Sequence, residues 1–254
     1  MASFGIEGIK HFANLRASGL FSKGDQKKLG DLEYVYSICG GLDDALRDAG
    51  HTRKFYWGDQ DCWEIDMRQR SLGGIDDDWA DAVDLFFINT HGGYWFSAAH
   101  LGYDIKINEW ISTSDKWRFG DDFDLEWLLI YGCKTVNLAN PPELWSAFRR
   151  LHEICGAYDY MWDGVTTDEC GEDVGEALTD GETVAESWID GVSDWYVDNH
   201  PIVCSMERES TFNGGDFIWS QTNIERDHLH GHGTTTSDVQ PSQKFWMSWM
   251  WSEG

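Results

Sequence analysis

The chain has 254 residues and 41% hydrophobic content, enough for one sizeable core without disulfide staples. It carries 45 acidic against 19 basic side chains, a formal net charge of −26. That balance excludes nucleic acid and anionic membrane surfaces as partners, because neutralising phosphate needs clustered Lys and Arg. A basic substrate or a divalent cation suits such a surface better.

No apolar run is long enough for a transmembrane helix. The six cysteines include no CxxC pair, so neither a zinc knuckle nor a thioredoxin motif is signalled. The first residues, MASFGIEGIKHF, lack a basic stretch followed by an apolar one, so the expectation is a cytoplasmic protein with reduced thiols.

Taken in chain order, short apolar runs alternate with amphipathic stretches, the pattern of a parallel sheet covered by helices. Phe4 to Ile9 reads as a first strand. After Gly40 and Gly41, Leu42, Ala45, Leu46 and Ala49 share a helical face that Gly50 can close. His51 to Gly58 reads as a second strand, and acidic Asp76 to Ala82 as a short helix or turn. Val83 to Thr90 is a buried strand ending at His91-Gly92-Gly93, and Leu125 to Tyr131 is another ending at Gly132-Cys133.

Pro141-Pro142 opens a helix extending to Cys155, since proline in a first turn loses no amide partner. Gly156 to Tyr160 reads as a strand. Val184, Trp188, Val192 and Trp195 are at helical spacing within Val174 to Val197, which Gly181 and Gly191 divide. Pro201 to Met206 is a last core strand. The expected architecture is an α/β domain over 1–210 with a mostly parallel sheet between helices, and an irregular Gly/His/Trp-rich extension over 211–254 packed on it.

Ligands in open parallel sheets gather beyond the carboxyl ends of the strands. Two strands ending in His-Gly and Gly-Cys would bring His91 and Cys133 to one edge. There the imidazole can take the thiol proton and later protonate a leaving amine. The flanking glycines permit close backbone approach, which makes the Gly92 and Cys133 amides candidate oxyanion donors.

DLFFINTHGG and EWLLIYGCKT, with His91 and Cys133 42 positions apart, resemble the caspase-like, or clan CD, cysteine peptidases. This group includes caspases, metacaspases, legumains, gingipains, clostripain and separase. The resemblance implies a three-layer caspase-like sandwich and peptidase or acyl-transferase chemistry on a peptide or protein substrate, with no required cofactor. Cys133 is followed by Lys134-Thr135-Val136 and no Gln-Ala-Cys motif is present, so the resemblance is to the broad group and not to caspases themselves. Members that favour basic residues place acidic groups near neighbouring strand ends, which makes Asp159 and Asp163 candidate substrate-binding residues.

Other signals compete. His228, His230 and His232 would share one face of an extended segment and are candidate ligands for Zn²⁺. Acidic clusters at Asp76-Asp77-Asp78, Asp121-Asp122 and Asp168-Glu169 with Glu172-Asp173 are candidates for Ca²⁺, though none has EF-hand spacing. Trp246, Trp249 and Trp251 near the end of the chain suit core cover or an oligomer interface. GxSxG, Walker, GxGxxG and HExxH motifs are absent. A catalytically inactive caspase-like binding or scaffold protein is the alternative to a cysteine peptidase, and a metal-dependent hydrolase at the histidine tract is the second alternative.

Overall fold

A computed structural model describes residues 1–12, 30–93, 98–100, 111–120, 124–136, 138–139, 141–193, 197–207, 211–213, 216–218, 223–244 and 246–253. Trp195 and the Asp121-Asp122 pair lie outside the described residues.

The strands are β1 (Ser3–Gly8), β2 (Thr52–Gly58), β3 (Leu85–Asn89), β4 (Ala98–His100), β5 (Ile111–Thr113), β6 (Trp127–Tyr131), β7 (Glu153–Ala157), β8 (Pro201–Glu207), β9 (Thr211–Asn213), β10 (Asp216–Ile218) and β11 (Trp246–Trp251). The helices are α1 (Val35–Asp48), α2 (Pro141–Ala147), α3 (Cys170–Asp180) and α4 (Val184–Gly191).

Seven strands form one sheet in the order β11-β8-β7-β6-β3-β1-β2, and β4–β5 and β9–β10 are two-stranded hairpin sheets. From β2 to β7 the neighbours run parallel; β8 is antiparallel to both β7 and β11. The α/β reading therefore holds. Residues in β3 and β6 alternate between two covered faces, which is why Leu85 to Ile88 and Trp127 to Tyr131 are apolar on both. Phe86, Ile88, Leu128 and Ile130 join the core layer with Trp117, Phe119 and Leu144 of α2. Leu85, Phe87, Trp127 and Leu129 join the opposite layer, under α1, α3 and α4.

Three local expectations are corrected by tertiary packing. Helix α1 begins at Val35, upstream of the two glycines after which the helical face is expected to start. Gly41 is a packing residue: a Cβ there would lie 2.8 Å from the Glu172 backbone nitrogen of α3. Reciprocally, a Cβ on Gly171 would lie 1.8 Å from the Ile38 carbonyl. The helix expected to run to Cys155 stops at Ala147. The amides of Arg149 and Arg150 turn to the Phe119 carbonyl, and Glu153 to Ala157 enters the sheet between β6 and β8. The Trp-rich end contributes β11, an edge strand paired with β8, so part of the extension completes the main sheet.

Among the described residues, no helix is long and apolar enough to cross a membrane.

Candidate functional site at the carboxyl edge

The parallel register pairs Asn89 with Tyr131, and the Thr90 amide donates to the Tyr131 carbonyl at 3.1 Å. The residues that follow, His91-Gly92 and Gly132-Cys133, therefore leave the sheet side by side. Their backbones touch: a Cβ on Gly92 would stand 1.6 Å from the Cys133 carbonyl oxygen, and one on Gly132 would stand 2.5 Å from that of Thr90. Only glycine fits either position. Directly after Cys133, Lys134 takes the left-handed conformation (φ 55°), and its amide donates to the Asp159 carbonyl at 2.7 Å. A non-glycine residue in that conformation costs energy, and such sites concentrate where function imposes them.

The two side chains have distinct immediate partners. The half-buried Cys133 thiol accepts from the Met161 amide and donates to the Met161 carbonyl, both at 3.4 Å. Burial pushes this thiol above its ordinary value, with the backbone contact and Lys134 opposing. His91 Nε2 lies 2.9 Å from the Gly30 carbonyl, and its ring packs edge-on against Phe12 at 4.6 Å. Burial holds the imidazole below its ordinary range, although Asp163 and Asp31 favour its charged form. At neutral pH the resting groups are thus a thiol and a neutral imidazole.

Of the two candidate substrate carboxylates, Asp159 stays near the nucleophile but is paired with Lys134 Nζ at 2.8 Å. Lys134 also lies 4.7 Å from the centre of the Tyr160 ring. Asp163 instead holds the entry to α1, accepting from the amides of Glu33 and of Tyr34 (2.9 Å).

The three tract histidines do not converge. His228 Nδ1 faces the Arg226 carbonyl at 2.7 Å, His230 Nε2 pairs with Glu126 at 2.6 Å, and His232 Nε2 meets His51 Nε2 at 2.9 Å. Among the acidic clusters, Asp77 and Asp78 pair with Arg70.

Beneath the carboxyl edge, Glu7 of β1 is fully buried, and it and Asp66 are both raised. Burial is the main cause for each; Asp66 is pushed up to about 7. A carboxyl raised in the folded state contributes stability that is complete below its unfolded value of about 4 and is lost as pH rises through the folded value. Lowering the pH from 8 to 6 is therefore expected to stabilise the protein by about 1 kcal/mol through Asp66. The check is urea unfolding at both pH values, with the gain shrinking in Asp66→Asn. A gain of equal size in that variant would contradict the assignment.

Sequence reading missed a second group of polar residues at the opposite edge: Asp84, Glu126, His152, Asp227 and Asp238. Asp84 and Glu126 directly precede β3 and β6, a legible position, but His152 lay inside a stretch read as helix.

A secreted C11 cysteine protease from Bacteroides thetaiotaomicron, iotapain, matches in structure with a TM-score of 0.34 and 9% identity, over 80% of this chain and 66% of that one. This likeness is too distant to carry any residue across. No curated protein matches the chain in sequence. The sequence model of a family described as "Domain of unknown function (DUF6345)" matches residues 7–253, and the chain belongs to that family.

Proposed function

We propose that the chain is a cysteine-dependent peptidase or acyl-transferase in which Cys133 attacks a peptide carbonyl and His91 is the general acid/base. The observation that carries this is the Gly92–Cys133 backbone contact at the carboxyl ends of two register-matched parallel strands. A thiol and an imidazole that are both neutral at rest favour base-assisted attack over a preformed ion pair. His91 would turn from the Gly30 carbonyl as substrate enters, in line with catalytic hydrogen bonds that tighten only in the working complex. The Gly92 and Cys133 amides are the proposed oxyanion donors. Asp159 is the proposed acidic partner of an Arg or Lys side chain in the substrate, which would have to displace Lys134 Nζ from it.

The second reading, a catalytically inactive binding module, is favoured by one observation: both Cys133 and His91 already have backbone partners.

Cys133 is half-buried while the other five cysteines are buried, so iodoacetamide on the native chain is expected to label Cys133 alone. The raised thiol makes this labelling continue to accelerate beyond pH 9. A peptidyl acyloxymethyl ketone ending in Arg is expected to inactivate the same thiol, on the order of 100-fold more slowly in His91→Ala. Equal rates in wild type and His91→Ala would sink the catalytic pair and favour the binding module.

A further inference from the structure

We propose that the amino-terminal edge of the sheet holds a divalent transition-metal ion of the Zn²⁺ type, bound by Glu126, His152 Nε2 and Asp238. The site is built by register. Leu85, Trp127 and Glu153 are aligned across three parallel strands, so Asp84, Glu126 and His152, each just before its strand, stand in a row. Their backbones are linked in sequence: the Glu126 amide donates to the Asp84 carbonyl at 2.9 Å and the His152 amide to the Glu126 carbonyl at 2.8 Å. The C-terminal segment crosses this row and adds Asp227, His230 and Asp238.

Ligand-capable atoms of Glu126, His152 and Asp238 lie within 4.8 Å of one another, as do those of Asp84, Glu126 and His230. The two groups share Glu126.

The decisive side chain is His152, only 2% exposed. Its Nδ1 is 2.8 Å from the fully buried Asp227 carboxylate. Its Nε2 has no hydrogen-bond partner among the described residues and points toward Asp238, 3.7 Å away. That distance is too long for a hydrogen bond. It is close to the spacing of two ligands that each sit about 2.1 Å from a tetrahedral metal.

A carboxylate that fixes one imidazole nitrogen and leaves the other open is the usual arrangement behind a metal-bound histidine. His230 lies alongside, with Nδ1 at 3.0 Å from the Thr235 hydroxyl and Nε2 paired with Glu126 at 2.6 Å. The mixture of imidazole and carboxylate suits a first-row transition metal better than Ca²⁺, which prefers oxygen throughout. Asp238 and His230, 48% and 34% exposed, leave a route from solvent. A bound ion would pin the C-terminal segment to the sheet and offset the nearby carboxylates, including Glu153, which is fully buried with both oxygens unpartnered.

The test is calorimetric titration of the chelator-stripped full chain with Zn²⁺, followed by Co²⁺ absorption spectroscopy as a report on coordination. One ion per chain is expected, with visible Co²⁺ bands of a low-coordinate site and a raised melting temperature. Asp238→Asn, at a half-exposed position, and Glu126→Gln are expected to weaken binding tenfold or more. His228→Asn, whose ring faces the Arg226 carbonyl, is expected to bind as wild type. No saturable uptake by the wild-type chain would overturn the site and leave His152 as an ion-paired core histidine. Unchanged affinity in both Asp238→Asn and Glu126→Gln would overturn it equally, as would loss confined to His228→Asn. None of these outcomes depends on Cys133.

Discussion

Asp227→Ala is expected to destabilise the protein by about 3–5 kcal/mol, the size of loss seen when one partner of a buried charged network is removed. The carboxylate is fully buried and accepts from three donors: Trp127 Nε1 at 2.7 Å, His152 Nδ1 at 2.8 Å and the Thr236 amide at 2.6 Å. Alanine removes the acceptor from all three, and the Trp127 and His152 donors are buried. Asp227→Asn should fall between the two, because an amide turns its NH₂ toward at least one donor. Urea unfolding gives the answer through the midpoint, provided the slope is unchanged. A loss below about 1 kcal/mol for Asp227→Ala would mean that the segment carrying it contributes little to the folded state.

Gly92→Ala is expected to cut peptidyl-electrophile labelling of Cys133 on the order of 100-fold, since displacements near 1 Å at a reacting centre have costs of that size. The added methyl would meet the Cys133 carbonyl oxygen at 1.6 Å and the Cys133 nitrogen at 2.8 Å, and neither is a flexible side-chain end. The two loops must separate. Gly40→Ala is the matched control: it lies within α1, nothing stands within 4 Å of its added methyl, and it should stabilise by roughly 0.5–1 kcal/mol. Labelling of Gly92→Ala within twofold of wild type would show that the close approach is not needed for thiol reactivity.

The two edges of the sheet differ in how far they could be read from sequence. At the carboxyl edge, His91 and Cys133 each end an apolar run, and strand direction alone predicts that such residues gather at one edge. At the amino edge, the same two runs are preceded by Asp84 and Glu126, but isolated acids in a chain of net charge −26 carry no local signal. The remaining members come from residues 152, 227, 230 and 238. Their grouping depends on His152 being the step into β7, whereas PELWSAFRRLHEIC has a helical spacing of apolar residues. The histidine tract shows the converse. Alternation along 228–232 suggested one shared face, yet the segment turns, with a left-handed Gly231 (φ 94°), and sends its rings to three different partners.

What the sequence by itself determined was the α/β class, the core strands β1, β2, β3, β6 and β8 and the two strand ends that carry His91 and Cys133, whereas β7 lies at Glu153–Ala157 and not at Gly156 to Tyr160. Apolar runs of five or more residues flanked by glycine have few other low-energy outcomes in a chain of this size. Tertiary structure alone decided the length of α1, the early stop of α2, the recruitment of β11 and the assembly of the amino-edge cluster. Each depends on a contact between distant segments: Gly41 against α3, the Arg149 and Arg150 amides on Phe119, Trp246–Trp251 on β8, and the C-terminal segment over β3, β6 and β7. Local propensity amounts to tenths of a kcal/mol per residue, and burying one large side chain outweighs it several-fold.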